Sequence, residues 1–369
     1  MGTCCGAQGP QMVSLFEFST LTYYSRKAII IQRAYRNWKN KKEEQQNRLI
    51  NTNDSQRSNE PPAQMAIAID EPIEAVEQII DHTPQKAIKV DRKLTEYSTI
   101  VNTLIYKIGN FNYKEYTKQL TYTEEELALP HLEPFQLQDG TIYVGQWRMG
   151  LRHCKGRAIF SDKSIYEGFW KDDQMWGFGR LILATGDYYE GEFLRNMANG
   201  KGKQVTIMGY VYEGEWVNDK QQGEGIERYP DGTNFKGKFV EGKKSGFGEL
   251  HFQDGSSYVG QILENKFNGK GVFKFTDGRK YEGQWKNNQM DGYGTFTWPD
   301  GRQYDGYYVK DKKQGFGDFT YQDGSMYKGN WFEGREHGNG TFYSKSGLYR
   351  EGEWLNGKRM KWLGQYQVA

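Results

Sequence analysis

The chain has 369 residues and a formal net charge of +2, from 49 Lys and Arg against 47 Asp and Glu. This balance gives no electrostatic argument for nucleic acid or for a strongly acidic partner, and we expect no nucleic-acid binding. Three cysteines cannot form a disulfide framework, they share no metal-ligand spacing with histidine, and no apolar run approaches the roughly 18–20 residues that span a bilayer. We therefore expect a cytosolic protein without a metal or cofactor. Of the 45 glycines, 41 follow residue 139, so two different regions are joined end to end.

The N-terminal segment, residues 1–25, begins with residues suited to lipid attachment. Gly2 becomes available for myristoylation once the initiator methionine is removed, and the adjacent Cys4 and Cys5 are available for palmitoylation. Gly6 stands where the myristoylation motif usually has Ser or Thr. An ordinary frayed terminus is the alternative interpretation, and dual acylation is the one we carry forward.

Residues 26–42 are predicted to form a basic helix, with seven Lys and Arg residues and no acidic residue. Ile31, Tyr35 and Trp38 recur at helical spacing and form one apolar stripe. The pattern of Ile31 and Gln32 followed by Arg36 and Lys41 resembles the IQ motif, which implies binding of calmodulin or a calmodulin-like EF-hand protein. The implied contact residues are Ile31, Gln32, Tyr35, Arg36, Trp38 and Lys41. A helix that docks on this protein's own sheet, or that lies on a membrane, is the alternative.

Residues 43–69 are polar and are predicted to form a linker. Residues 70–138 are predicted to be partly helical, with Ile73, Val76 and Ile79 on one helix face, and to lead into a cap on the first repeat. The repeat array is placed at 139–358, and residues 359–369 form a C-terminal tail.

A 23-residue repeat dominates the second region. An aromatic residue recurs every 23 residues, with a glycine two positions later and usually a large apolar residue two positions after that, as in Tyr281, Gly283 and Trp285. The nine aromatic positions are Tyr143, Tyr166, Tyr189, Tyr212, Phe235, Tyr258, Tyr281, Tyr304 and Tyr327. The spacing of two places these side chains on one face of a strand. A Gly-x-Gly pair, alternating apolar residues and often an Asp-Gly turn follow, which predicts one β-hairpin per repeat.

This pattern resembles the MORN repeat, which it matches nine times over 143–348, with a partial tenth unit around Trp354. The predicted fold class is mostly β: an elongated single antiparallel sheet of stacked β-hairpins, preceded by a helical and partly disordered N-terminal region. Strand glycines leave room for a large ring from a neighbouring strand. Cys154 replaces the first glycine of its Gly-x-Gly pair, which leaves the first units less regular.

Nothing in the sequence favours an enzyme. The segment Gly237–Lys244 comes close to a P-loop, but Lys244 stands where Ser or Thr must hold magnesium, and the repeat itself supplies the glycines. Carboxylates such as Glu213 and Glu215 alternate with the aromatic residues, so we expect them on a solvated strand face.

Lysines recur after the large apolar strand residue at the same 23-residue interval and are expected to line up as a stripe. The residues expected to contact acidic phospholipids are Lys243, Lys244, Lys266, Lys312 and Lys313. A charged sheet edge that prevents aggregation is the alternative.

These features together predict a non-enzymatic scaffold at the cytosolic face of a membrane. It would bind a calmodulin-like protein, acidic phospholipids and an unidentified protein partner on the repeat sheet. The resemblance also allows a structural component of the axoneme, cilium or cortical cytoskeleton as the alternative.

Overall fold

A computed structural model of the chain describes residues 82–84, 87–91, 97–117, 119 and 121–368. The acylation segment, the basic helix and the polar linker lie outside these described residues. Two compact units divide the chain between Ala184 and Thr185. We call the described residues up to Ala184 the N-terminal unit, and residues 185–368 the C-terminal unit.

The N-terminal unit places three short helices before most of its strands. The helices are α1 (Thr99–Ile108), α2 (Tyr113–Thr117) and α3 (Glu124–Leu127). The strands are β1 (Ile88–Lys89), β2 (His131–Gln136), β3 (Ile142–Arg148), β4 (Leu151–Ile159), β5 (Ile165–Lys171) and β6 (Gln174–Ile182). The strands pair antiparallel in chain order, so this unit forms one meandering sheet.

The C-terminal unit is built from strands alone within its described residues. They are β7 (Tyr188–Leu194), β8 (Met197–Val205), β9 (Val211–Val217), β10 (Lys220–Arg228), β11 (Asn234–Val240), β12 (Lys243–His251), β13 (Ser257–Leu263), β14 (Lys266–Lys274), β15 (Lys280–Lys286), β16 (Gln289–Thr297), β17 (Gln303–Val309), β18 (Lys312–Thr320), β19 (Met326–Phe332), β20 (Arg335–Tyr343), β21 (Leu348–Leu355), β22 (Lys358–Trp362) and β23 (Gln367–Val368).

Successive strands of the C-terminal unit also pair antiparallel, and β23 returns to pair with β21. The predicted fold class, mostly β with consecutive antiparallel hairpins, is therefore confirmed. The predicted Asp-Gly turns have their expected chemistry, since the carboxylate of Asp231 accepts a hydrogen bond from the backbone N–H of Thr233 at 2.9 Å.

Each hairpin carries its large rings on one face of the sheet, which we call the ring face. In the hairpin of β15 and β16, Tyr281 is fully buried and meets Trp285 edge to face at 5.1 Å between ring centroids. The hydroxyl of Tyr281 donates to the carbonyl of Gln284 at 2.9 Å, and the indole N–H of Trp285 donates to the carbonyl of Gly271 at 3.2 Å. The tyrosine bond recurs in the repeats that carry Tyr at this position, and the indole bond recurs at Trp170, Trp216 and Trp331.

The two glycines of each Gly-x-Gly pair serve different purposes. The second lies directly under a tyrosine ring: a Cβ atom on Gly294 would come within 2.4 Å of the Tyr281 hydroxyl oxygen. The first lies at a β-bulge and has a positive φ, +106° at Gly292. Cys154 occupies this bulge position in β4 with a φ of +54°, so the hairpin keeps its shape despite the substitution.

Candidate binding surfaces

The predicted site residues divide into those outside and those inside the described structure. The lipidation residues Gly2, Cys4 and Cys5 lie outside it, as do the calmodulin-contact residues Ile31, Gln32, Tyr35, Arg36, Trp38 and Lys41. The five predicted lipid-contact lysines are all described. Three are on the surface, where Lys243 pairs with Glu264 at 2.9 Å, Lys312 pairs with Glu333, and Lys266 is exposed.

Lys244 is a correction to the predicted lysine stripe, because its side chain lies within the ring face. Only 7% of the residue is exposed, and its ammonium forms an ion pair with the carboxylate of Glu227. The Lys244 Nζ also donates to the Tyr229 hydroxyl at 2.8 Å and lies 5.2 Å from the centroid of the Phe235 ring. A lysine held this way is enclosed by the rings and is not available to a lipid headgroup.

Lys313 is the second correction, since it occupies the same position three repeats later. Its Nζ lies 4.5 Å from the ring centroids of Phe319 and Trp331 and 4.8 Å from that of Tyr304. Burial lowers the pKa of Lys313 to about 7. The alternation of two in a strand explains both corrections, because Lys243 and Lys312 point to one face and their successors to the other.

The face opposite the ring face, which we call the second face, carries further lysines in the C-terminal unit besides Lys243 and Lys312. Their side chains alternate with the buried rings of β11, β14 and β15, and all of them are exposed. They are Lys236, Lys238, Lys270, Lys274 and Lys286. This group gives the middle of the C-terminal unit a basic second face.

In the N-terminal unit, part of the second face is covered by the chain itself. We call residues 97–129, as far as they are described, the cover segment. Phe169 on β5 is completely buried: Tyr113 meets its ring edge to face at 5.6 Å, and Tyr122 stacks on it at 6.0 Å. Tyr116 stacks on Phe178 of β6 at 4.5 Å. Aromatic contact therefore holds the cover segment on the sheet.

Hydrogen bonds fix the cover segment in register with the strands. The hydroxyl of Tyr113 donates to the carbonyl of Gly156 at 3.1 Å, and that of Tyr122 donates to the carbonyl of Trp170 at 2.9 Å. The guanidinium of Arg180 donates to the carbonyl of Gly109 at 2.7 Å. The cover segment thus uses tyrosine rings for contact area and tyrosine hydroxyls for position.

An ion-pair group anchors the end of the cover segment. The Glu126 carboxylate meets Arg148 of β3 and lies 3.1 Å from Nε2 of the buried His153. The backbone N–H of Thr123, in a capping box at the start of α3, is the main cause that lowers the pKa of Glu126. Burial, in turn, is the main cause that lowers the pKa of His153.

The C-terminal unit has the same aromatic pair on its second face, but no segment among the described residues covers it. Tyr307 and Phe316 stand six repeats after Phe169 and Phe178, at the same positions of β17 and β18 and in the same strand register. Tyr307 is 53% exposed and Phe316 is 58% exposed, whereas Phe169 is 0% exposed. Tyr293 on β16 meets Tyr307 edge to face at 5.3 Å and extends the patch. We call Tyr293, Tyr307 and Phe316 the bare aromatic patch.

The sequence prediction missed both aromatic pairs, although a signal was present. At the position of Phe169 and Tyr307 the other repeats carry polar residues, such as Glu215, Lys238 or Gln284. An aromatic residue on a strand face that is otherwise polar marks a place where something packs. The period of two showed which face these residues occupy, but not what covers it.

The described residues contain neither a membrane-spanning helix nor a metal-binding cluster. No helix among them combines the length and apolar character that a membrane crossing requires. The same residues hold no group of three or more His, Cys, Asp or Glu side chains placed to bind a metal ion.

A family model described as MORN repeat matches the chain in ten consecutive segments. They are residues 143–165, 166–188, 189–207, 212–234, 235–257, 258–278, 281–301, 304–326, 327–349 and 351–360. Comparison with curated proteins found no match.

The solved structures that align with the chain are only weakly similar to it. The TCP10 domain of Danio rerio CPAP, in complex with a peptide of Danio rerio STIL, aligns at 14% identity with a TM-score of 0.35, over 63% of this chain and 98% of that chain. The TCP domain of Drosophila melanogaster SAS-4, in complex with a proline-rich motif of Ana2, aligns at 13% identity with a TM-score of 0.27, over 50% of this chain and 94% of that chain. Likenesses this weak carry no argument about function.

Proposed function

Because the chain belongs to the MORN repeat family, we propose that it is a non-enzymatic scaffold held at the cytosolic face of a membrane. Repeats of this family bind proteins or phospholipids. The observation that carries the proposal is the difference between the two units: the aromatic pair on the second face is covered in one and bare in the other. Large exposed aromatic groups on a sheet are typical of protein-binding surfaces.

The N-terminal residues supply the membrane attachment in this proposal. One acyl chain holds a protein only marginally, so myristate on Gly2 and palmitate on Cys4 and Cys5 would act together. The basic residues 26–42 would add roughly 1 kcal/mol per charge near an anionic surface.

The second face of the C-terminal unit supplies a further membrane contact. Five further exposed lysines of the second face take the role predicted for Lys244 and Lys313, namely Lys236, Lys238, Lys270, Lys274 and Lys286. Changing these five to Gln should weaken flotation with phosphatidylserine vesicles. Lys243→Gln with Lys312→Gln, which removes two lysines already paired with glutamates, is the matched control and should change flotation little.

The basic segment also binds a calmodulin-like protein in this proposal, through Ile31, Gln32, Tyr35, Arg36, Trp38 and Lys41. One helix cannot face lipid and an EF-hand protein together, so the partner should release the segment from the bilayer. Vesicle flotation measured with and without calmodulin tests this switch, and flotation that calmodulin leaves unchanged would count against it.

Fractionation of the tagged full chain tests the proposal as a whole. Gly2→Ala with Cys4→Ser and Cys5→Ser should move the protein from the membrane fraction to the soluble fraction. Gly9→Ala is the control for a glycine change in the same segment. The alternative, a structural part of the axoneme or cortical cytoskeleton, predicts that the triple variant remains in a detergent-resistant pellet.

A further inference from the structure

We propose that the bare aromatic patch binds a short helical segment of a partner protein that carries two aromatic side chains one turn apart together with basic residues. This inference rests on the proposed scaffold function and names the partner chemistry for one place on the second face.

The cover segment shows what packs on this kind of site. Tyr113 and Tyr116 lie on one face of the single-turn helix α2, and their rings meet Phe169 and Phe178. A helix therefore needs only one turn to cover the aromatic pair of a hairpin.

The hairpin of β17 and β18 offers the same backbone to a partner. Gly306 pairs with Gly317 and Tyr308 pairs with Lys313, with the same bulge between them as in the hairpin of β5 and β6. Aromatic side chains at the two ring positions complete the match. A segment built like α2 would consequently find the same spacing of rings on β17 and β18.

The charges around the two sites differ. Around Phe169 and Phe178 the second face carries Arg157 and Arg180, and the guanidinium of Arg180 donates to the carbonyl of Gly109. The corresponding residues around the bare aromatic patch are Thr295 and Asp318.

Two carboxylates, those of Asp305 and Asp318, and one lysine, Lys328, lie beside the bare aromatic patch. Asp305 accepts hydrogen bonds from Thr295 and Gln303, Asp318 pairs with Lys328 at 2.8 Å, and Asp291 of β16 accepts one from the backbone N–H of Lys310 at 3.3 Å. A carboxylate at the Arg180 position would repel a backbone carbonyl and would accept a hydrogen bond from Lys or Arg. A partner that has Lys or Arg where the cover segment places the Gly109 carbonyl would therefore suit this patch.

A synthetic peptide based on the cover segment provides the probe. The basic peptide has the sequence of residues 109–122 with Asn110→Lys and Glu115→Lys, and the acidic peptide has Asn110→Glu and Lys114→Glu instead. A third peptide, the basic one with Tyr113→Ser and Tyr116→Ser, removes the rings. Fluorescence anisotropy of labelled peptides against the purified full chain measures the affinity.

We expect the basic peptide to bind with a dissociation constant on the order of tens of micromolar, as a contact of this small size allows. Tyr307→Ala with Phe316→Ala should weaken it at least tenfold, and the acidic and ring-free peptides should bind at least tenfold more weakly. Phe247→Ala is the matched control: Phe247 is 63% exposed at the same repeat position as Phe316, but Lys238 stands where the patch has Tyr307. That variant should bind as the parent does.

Four outcomes would overturn the inference: no binding of the basic peptide, equal binding of the acidic one, binding that survives Tyr307→Ala with Phe316→Ala, or equal weakening by Phe247→Ala. If the parent chain is a dimer and this double variant is a monomer, the patch binds a second copy of the chain instead. If the double variant loses vesicle binding and the basic peptide does not bind the parent chain, the patch is a lipid contact instead. The fractionation and calmodulin experiments do not involve the patch, so a failure of the proposed function would be distinguished from a failure of this inference.

Discussion

The substitution Gly271→Ala tests the packing that we assign to the ring face. Gly271 pairs with Gly260 across β13 and β14, and its φ is not in the left-handed region, so alanine meets no backbone strain there. A Cβ atom at this position would lie 2.3 Å from the Tyr258 hydroxyl oxygen and 2.5 Å from the ring carbon that bears it. Ordinary contacts begin about 1 Å further out, so the ring must move.

The ring of Tyr258 has little freedom to move. It stacks on Phe267 at 3.6 Å, meets Trp285 edge to face at 5.6 Å, and donates a 2.7 Å hydrogen bond to the carbonyl of Gln261. Overpacking of this kind costs about 1–3 kcal/mol, and a lost hydrogen bond costs about 1 kcal/mol. We therefore expect Gly271→Ala to lower the free energy of unfolding by about 2–4 kcal/mol.

Urea unfolding, with hydrogen exchange of the β13 and β14 amides to localise the effect, measures this change. Gly364→Ala is the matched control, because a Cβ atom at Gly364 meets nothing within 4 Å, and it should change stability by less than about 0.5 kcal/mol. In the background of Tyr258→Ala, the cost of Gly271→Ala should largely disappear, since the ring that it strikes is gone.

Two results would refute this reasoning. The first is a Gly271→Ala variant as stable as the control. The second is a cost that stays the same in the Tyr258→Ala background, because the loss would then come from the strand itself and not from the ring that covers it.

Three further predictions concern single side chains. The pKa of Lys313 is lowered to about 7 from its ordinary 10.5, so between these values the unfolded chain binds a proton that the folded chain lacks, and stability rises with pH. Lys313→Met, which copies Met290 of the preceding repeat, should raise the free energy of unfolding by about 1–3 kcal/mol in urea at pH 6 and by less at pH 10. An equal gain at the two pH values would contradict this prediction. Phe235→Tyr supplies the hydroxyl that other repeats use to reach the carbonyl three residues on, and should add about 0.5–1 kcal/mol by the same assay, where a loss would count against the recurring bond. Tyr113→Ala should expose Phe169 and raise its rate of hydroxyl-radical oxidation several-fold, as measured by mass spectrometry. An unchanged rate would show that Tyr113 does not shield Phe169.

The repeat could be predicted from the sequence because its constraint is local. Tyr281, Gly283 and Trp285 define a face by their spacing of two, and the glycine across the sheet must leave room for the ring. Each hairpin repeats this requirement, so one repeat predicts the next. The left-handed φ of Cys154 follows from the same regularity, since its neighbours in the repeat have glycine there.

The sequence distinguishes the two faces of the sheet, but it does not predict which side chains are buried or covered on each face. Lys244 and Lys313 follow Lys243 and Lys312 in the sequence and carry the same charge, and only the strand alternation places them among rings. The cover over Phe169 joins residues far apart in the chain, and no periodicity predicts such a contact. The lipidation and calmodulin predictions remain predictions.

Hydroxyl-radical footprinting of the purified full chain tests the central claim most directly, because it compares Phe178 with Phe316 at the same repeat position. The account predicts that Phe316 is oxidised faster than Phe178, and that the basic peptide protects Phe316 but not Phe247. Equal oxidation of Phe178 and Phe316 in the free chain would contradict the claim that one aromatic pair is covered while the other is open to a partner.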